Sequence, residues 1–247
     1  MEKTQAPVIL LPGNHRHVSF IKDPLWRLAM GDRKKREVRI PDYTIGEEIF
    51  NAVSHGLGAL LGVAALVLMV IKAHGILPET VVSLFGIAIV QLYTISCVYH
   101  ALSPQMKGKK VMRVIDHCNV YLLVLGTYLP VALLGVSGRV GWLLLGIVFV
   151  FSVLGIIATA VNVDRYQVIS VVCHLLSGWS ILLGIPSLLQ SMGARGLMYL
   201  ILGGVMYSIG AILYGRGKTK KYRHCVFHVF CLIGTFFHFW GIYVFLL

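Results

Sequence analysis

The chain has 247 residues, of which 57% are hydrophobic and only 13% are charged, and its formal net charge is +12. A water-soluble protein of this composition would expose large apolar patches, so the composition excludes an ordinary soluble enzyme and indicates an integral membrane protein. The positive charges lie in the N-terminal tail and in short loops, which is typical of a membrane-topology signal, and we expect no nucleic-acid partner.

Residues 1–45 form a basic, irregular tail ahead of a predicted membrane domain at 46–247. The apolar run Val8–Leu11 is too short for the core of a signal peptide, so we expect no processing. Two interpretations of the tail remain. Either it is a flexible segment whose charge sets the topology, or its apolar side chains lie in the membrane interface beside the basic run at 33–36.

Seven uncharged stretches follow, each about as long as the roughly 20 mostly apolar residues that a membrane-spanning helix needs. They cover residues 49–71, 80–106, 117–138, 140–163, 166–194, 196–215 and 224–247. No stretch alternates apolar and polar residues as barrel strands do, and helices satisfy their own backbone hydrogen bonds in lipid. The sequence therefore predicts an all-α membrane protein, a bundle of seven transmembrane helices.

The distribution of lysine and arginine predicts the orientation of this bundle. Of the 22 Lys and Arg residues, only Lys72, Arg139 and Arg195 fall in loops on one side, and the others lie in the tail and the loops of the opposite side. Because positive loops stay in the cytoplasm, we expect a cytoplasmic N-terminus and an extracytoplasmic Leu247. The basic loops would then face anionic lipid headgroups.

Ionisable residues recur where the predicted spans meet the cytoplasmic loops. His100 is at the inner end of the second span, Asp116 at the start of the third, and His224 and His228 open the seventh. Residues four apart share a helix face, so His224 and His228 can bind one ion. By the same spacing, Ser96 faces the same way as His100. Three imidazoles that leave a fourth tetrahedral position open are typical of catalytic zinc, so these three histidines predict a zinc site.

Ser96 and Asp116 are the predicted partners of this site. Metal-bound histidines usually donate their second ring nitrogen to an oxygen atom, which either residue can supply. Alternatively, Asp116 is the base that deprotonates water, because no glutamate lies between His224 and His228. Ordinary explanations also exist, since the histidine pair could anchor the helix at the interface and Ser96 could serve in helix packing.

Other polar residues near these spans have two interpretations. Glu47 shares a helix face with Asn51 and His55, and it either caps the site or is an ordinary acid at a helix start. His117 directly follows Asp116, so we expect it to point to another face of the helix.

Two further histidines lie deeper in the predicted bundle. His174 either lines a polar interior or is a packed core residue. His238 lies about 15 Å beyond His228 along the helix, too far to bind the same ion, and we expect it to pack inward.

Three segments resemble the signature regions of the haemolysin III proteins, the bacterial branch of the progestin and adipoQ receptor superfamily. These segments are Ser96–His100, Asp116–His117 continuing to Gly126–Pro130, and His224–His228 followed by His238. The resemblance runs over residues 46–247, in order and with matching topology.

This resemblance implies a zinc ion held by His100, His224 and His228, because the related adiponectin receptors use one histidine of span 2 and two of span 7. It also implies that Ser96 and Asp116 lie near the water at the metal. Ceramidase activity is attributed to those receptors, and the bacterial branch is named for haemolysis and linked to membrane-lipid homeostasis. The tail lacks the acidic extension of a hormone receptor, so adiponectin recognition is not implied.

The sequence therefore predicts a zinc-dependent hydrolase of lipid amides or esters in a bacterial plasma membrane, with a ceramide-like substrate. Zinc would activate water and polarise the carbonyl group, Asp116 would manage the proton, and Ser96 would orient the water or the oxyanion. Two alternatives remain. One is a membrane sensor or receptor with a structural zinc, and the other is a cytolytic protein, which would need oligomers and a conductive path.

Overall fold

A computed structural model of the chain describes residues 38–216 and 221–247, so most of the predicted tail lies outside the described residues. Every regular element of the described part is a helix, which confirms the predicted all-α class. The helices are α1 (Ile45–Lys72), α2 (Ile76–Ala101), α3 (Lys107–Pro130), α4 (Gly138–Asn162), α5 (Gln167–Trp179), α6 (Ile185–Arg216) and α7 (Arg223–Phe245).

Two irregular helical stretches adjoin prolines. A π-helical turn, Val131–Val136, extends α3 just after Pro130, and a 3₁₀ segment, Ser180–Gly184, joins α5 to α6 just before Pro186. Proline lacks the N–H that a regular helix needs, and its ring crowds the preceding turn, so the hydrogen-bond pattern changes at both places.

Six helical segments of the described part are long and apolar enough to cross a membrane, one fewer than the sequence predicts. The difference lies in Gln167–Gly215, where α5, the 3₁₀ segment and α6 follow one another without a loop and join the fifth and sixth predicted spans. This segment is not straight. Trp179 donates its ring N–H to Ser208 at 3.0 Å, although a straight helix would separate these residues by about 44 Å. Gly193, midway between them, has a φ of 68°, a left-handed conformation that glycine adopts without steric cost.

The outer surface of the helices is apolar. On α4, for example, Trp142, Leu143 and Val161 are 66%, 63% and 65% exposed. Such a surface suits hydrocarbon, and a soluble protein rarely exposes apolar patches of this extent. Together with the six long apolar helices, this surface confirms the prediction of an integral, multi-pass membrane protein.

The first turns of α1 and α7 are held together at one end of the bundle, which we call the polar end. Thr44 and Glu47 form a capping box, in which the Thr44 hydroxyl accepts from the Glu47 N–H and the Glu47 carboxylate accepts from the Thr44 N–H. The same carboxylate accepts the N–H of Tyr222, just before α7, at 2.6 Å. At the opposite end, Lys72 donates to the carbonyl oxygen of Tyr243 at 2.6 Å. The histidines of α7 therefore lie beside α1.

Gly86 allows α1 and α2 to approach closely, because a Cβ atom there would lie 2.9 Å from the Cα atom of Leu66. We expect Gly86→Ala to lower the free energy of unfolding by about 1–3 kcal/mol, the usual cost of overpacking. The change is measured as a lower midpoint of thermal unfolding in detergent. Gly146→Ala is the matched control, since no described atom beyond the adjoining backbone of α4 lies within 4 Å of its added Cβ. Equal midpoints for the two variants would contradict this packing.

Candidate metal centre

Three buried histidines meet at the polar end of the bundle. His100 lies in the last turn of α2, and His224 and His228 lie in the first two turns of α7. One ring nitrogen of each lies within 4.8 Å of the other two, and the Nε2 atoms of His224 and His228 are 3.0 Å apart. The structure thus brings together the three histidines that the sequence predicts, as a group that could hold a metal ion.

The ring nitrogens of this group suit a cation. Nε2 of His100 is buried and has no hydrogen-bond partner among the described residues, so its lone pair is left for an ion. Two imidazole nitrogens on one tetrahedral zinc ion lie roughly 3.3 Å apart, close to the separation found between His224 and His228. An all-imidazole donor set favours a transition metal over magnesium or calcium, which prefer oxygen ligands.

Glu48 fixes the ring of His100. A carboxylate can only accept, so Nδ1 of His100 donates to Glu48 at 2.6 Å, and the lone pair of His100 is left on Nε2. The other carboxylate oxygen of Glu48 accepts from Lys109 at 2.6 Å, and Lys109 also donates to the carbonyl oxygen of Leu102. This is the supporting contact that metal-bound histidines usually have. The sequence predicts Ser96 or Asp116 for this contact, whereas the structure places Glu48 there.

Ser96 and Asp116 are buried and line the same cavity as His224 and His228. Oδ2 of Asp116 lies 3.3 Å from Nδ1 of His117, whose Nε2 is 2.9 Å from the hydroxyl of Tyr214. We expected His117 to lie on another face of α3 than Asp116, and the ring of His117 packs against Tyr214.

A fourth imidazole, that of His55, lies against the group without belonging to it. Its ring stacks on His228 with 3.7 Å between centroids and 17° between planes, and its edge contacts Tyr93. Both ring nitrogens of His55 and the side-chain amide of Asn51 are buried without hydrogen-bond partners in the described part. The face of α1 that the sequence grouped as Glu47, Asn51 and His55 is therefore turned inward beside the histidines.

The histidine group borders two cavities, since His224 lines both of them and His228 lines the first. The first cavity, about 150 Å³, has mostly apolar walls and extends from His228 to His238 in the middle of α7. The second, about 560 Å³, is lined at the polar end by charged side chains of both signs. His117, Tyr214 and His224 line both cavities. The apolar cavity suits a hydrocarbon chain, and the polar cavity suits water or a polar headgroup.

Residues 38–44, which we call the strap, precede α1, and residues 39–44 line the polar cavity. Arg113 donates to the carbonyl oxygen of Arg39 at 2.6 Å and forms an ion pair with Asp164 at 2.9 Å. The backbone N–H of Arg39 donates to the same carboxylate at 3.1 Å. The strap is therefore anchored to α3 and to the turn after α4.

Within the strap, Tyr43 covers the histidine group. Its ring stacks on His224 with 4.9 Å between centroids and 18° between planes, and it lies 6.0 Å from the ring of His100. Burial raises the pKa of Tyr43 above its usual value, so its hydroxyl stays protonated at neutral pH. Sequence reasoning could not find this contact, because Tyr43 precedes the first span and has no spacing relation to either histidine.

Comparison with known proteins identifies the family. The family model described as "Haemolysin-III related" matches residues 43–239, a range that contains all five predicted site residues. The chain belongs to the haemolysin III family. The resemblance predicted from the three sequence segments is thus confirmed.

Several relatives of this haemolysin III protein can be compared over most of their length. "Hemolysin-3" of Bacillus cereus is 34% identical over 194 residues, which cover 77% of this chain and 88% of the relative. "Hemolysin-3 homolog" of Bacillus subtilis (strain 168) is 35% identical over 196 residues, covering 78% and 91%. "Monocyte to macrophage differentiation factor" of Homo sapiens is 22% identical over 170 residues, covering 66% and 69%.

The contact between Glu48 and His100 leads to a test of metal affinity. We expect Glu48→Gln to weaken zinc binding by about 10–100-fold, the usual effect of losing a carboxylate behind a metal-bound histidine. The affinity is measured by competition with a coloured chelator, and thermal unfolding checks that the variant still folds around Lys109. Glu79→Gln, which changes an exposed acid at the start of α2, is the matched control. Equal zinc affinity in both variants would show that Glu48 does not support the site.

Proposed function

We propose that this haemolysin III protein is a zinc-dependent hydrolase of lipid amides or esters, with the ion held by His100, His224 and His228. The observation that carries the proposal is that this buried group borders both an apolar and a polar cavity through His224. A lipid likewise consists of an apolar chain and a polar headgroup. A ceramide-like molecule with its chain in the apolar cavity and its headgroup in the polar one would have its amide bond beside the histidines.

The proposed ligands supply three neutral nitrogen donors and leave a fourth tetrahedral position open. A zinc ion in such a site lowers the pKa of water toward neutrality and polarises a carbonyl group. Glu48 keeps the proton of His100 on Nδ1, so that Nε2 is available to the ion.

Asp116 is the proposed proton acceptor. It is buried in the wall of the cavity shared with His224 and His228, and His117 lies 3.3 Å from its carboxylate. In this role the carboxylate takes the proton of the attacking water and returns it to the leaving nitrogen or oxygen. The Ser96 hydroxyl lines the same cavity and would orient the water or the developing oxyanion.

We further propose that the chain crosses the membrane seven times, with the polar end in the cytoplasm. The contact between Trp179 and Ser208 supports two crossings within Gln167–Gly215. The positive loops support the orientation, and they would contact anionic headgroups at the inner face of a bacterial plasma membrane.

This topology is tested with single cysteines and a membrane-impermeant thiol reagent. Arg195→Cys, next to the reversal at Gly193, should be labelled in intact cells, whereas Gln105→Cys, between α2 and α3, should be labelled only after the cells are made permeable. The background is a variant whose five cysteines are replaced. Labelling of both positions from the same side would contradict a seven-crossing bundle, because it would leave Gln167–Gly215 without a second crossing.

The hydrolase proposal is tested by elemental analysis and by mass spectrometry of fatty acid released from ceramide. We expect the wild-type protein to bind about one zinc ion and to release fatty acid, and His228→Ala to lose both properties. Asp116→Asn should keep the ion and lose at least about 100-fold in turnover, since proton transfer is removed. His74→Ala, at an exposed histidine between α1 and α2, is the control and should keep both.

Two other outcomes would replace this proposal. Bound zinc without release of fatty acid, together with a lower unfolding midpoint after chelation, would identify a structural ion and favour a sensor. The names of the two Bacillus relatives raise the second candidate, a cytolytic protein. Leakage from lipid vesicles that persists unchanged in Asp116→Asn, again without released fatty acid, would favour cytolysis.

A further inference from the structure

A polar side chain without a partner lies in the wall of the apolar cavity, away from the histidine group. It belongs to His174 on α5. Neither ring nitrogen of His174 forms a hydrogen bond with another described residue, and Nδ1 is buried. A buried polar group without a hydrogen bond typically costs about 1–3 kcal/mol. A ligand that supplies a hydrogen bond at this place would remove that cost.

A second polar side chain, that of Tyr207, lies beside His174 in the same wall. Their ring centroids are 6.4 Å apart, nearly at right angles. The hydroxyl groups around Tyr207 form an ordered chain. Tyr93 donates its only hydroxyl hydrogen to the carbonyl oxygen of Cys231 at 3.1 Å, so in the 2.5 Å contact with Thr235 it must accept. Thr235 therefore donates to Tyr93, and Tyr207 donates to Thr235 at 2.6 Å. This order leaves the Tyr207 oxygen free to accept.

The neighbouring His238 does not share this property. Its Nε2 donates to the carbonyl oxygen of Leu200 at 3.1 Å, and its ring packs in the space left by Gly203, where a Cβ atom would overlap it. The backbone therefore occupies one ring nitrogen of His238, while its Nδ1 is buried without a partner among the described residues, as is Nδ1 of His174. Of these two imidazoles, His174 is the one that has both nitrogens left for a ligand. Together, His174 and Tyr207 offer one group that can donate and one that can accept.

The pair lies part of the way along the cavity. Thr235, which bonds Tyr207, follows His228 by two turns of α7, a rise of about 10 Å. The remaining wall is largely apolar, with Leu92, Val124 and Leu200 among its residues. An acyl chain whose carbonyl carbon lies at the histidine group would therefore pass His174 and Tyr207 near the middle of its length.

We infer that His174 and Tyr207 form a subsite for a hydroxyl group in the middle of an acyl chain. A hydroxyl group both donates and accepts, which matches the acceptor left on Tyr207 and the imidazole of His174. The inference rests on the proposed function for the identity of the chain. It narrows the substrate class to lipids with a chain that is hydroxylated near its middle.

The test measures equilibrium binding of stearic acid and of a mid-chain monohydroxystearic acid to the purified protein in detergent. One hydrogen bond of ordinary strength predicts about fivefold tighter binding of the hydroxy acid by the wild-type protein. In His174→Phe and in Tyr207→Phe the two acids should bind with about equal affinity. His174→Gln, which keeps a donor and an acceptor, should retain part of the preference. The isomer with its hydroxyl group beside the carboxyl group should bind no better than stearic acid.

Thr127→Val is the matched control for the cavity wall. Thr127 lines the same cavity, but its hydroxyl already donates to the carbonyl oxygen of Leu123, so this variant should keep the preference. Equal binding of both acids by the wild-type protein, binding of neither, or a preference that survives in both Phe variants would overturn the inference. If His174→Phe does not fold, Tyr207→Phe still tests the subsite, because it removes only one oxygen atom.

Binding needs neither the ion nor turnover, so the two proposals fail separately. Hydrolysis of ceramide with equal binding of the two acids would reject the hydroxyl subsite alone. A clear preference for the hydroxy acid without hydrolysis of any lipid would reject the hydrolase alone.

Discussion

The carboxylate of Glu48 accepts hydrogen bonds from two buried groups at once, the imidazole of His100 and the ammonium group of Lys109. These residues belong to α1, α2 and α3, so one side chain links three helices at the polar end. Removing one partner of a buried ion pair commonly costs about 3–5 kcal/mol, because the other charge stays buried. The same contact sets the tautomer of His100, so helix assembly and the orientation of a candidate metal ligand depend on one interaction.

The histidine group lies at the boundary between two environments. Toward the middle of the bundle the cavity is apolar, and toward the polar end it is lined by charges and covered by the strap. Electrostatic interactions are stronger where water is excluded, which favours both cation binding and activation of a carbonyl group. Tyr43, stacked on His224, lines the polar cavity. A lipid is divided in the same way, which is why the proposed chemistry and the proposed substrate support each other.

Much of this protein follows from local rules that a sequence displays directly. The length of the uncharged stretches predicts membrane helices, since hydrocarbon thickness fixes how many residues are needed. Helical periodicity places His224 and His228 on one face, and the matched depth of His100 suggests a shared site. These rules failed where the chain departs from regular geometry. Between the fifth and sixth predicted spans, helix follows helix without a loop, and the chain reverses at Gly193, whose backbone is not helical.

The sequence by itself determined the helical membrane class, the family and the residues that form the histidine group, because length, periodicity and motif spacing are properties of single segments. Only the tertiary structure decided which side chains surround that group. Glu48 is 52 positions from His100, Tyr43 lies in the strap, and Tyr207 meets His174 across a reversal of the chain. Such contacts depend on how helices pack and rotate against one another, and packing is set by the whole bundle at once rather than by any local pattern.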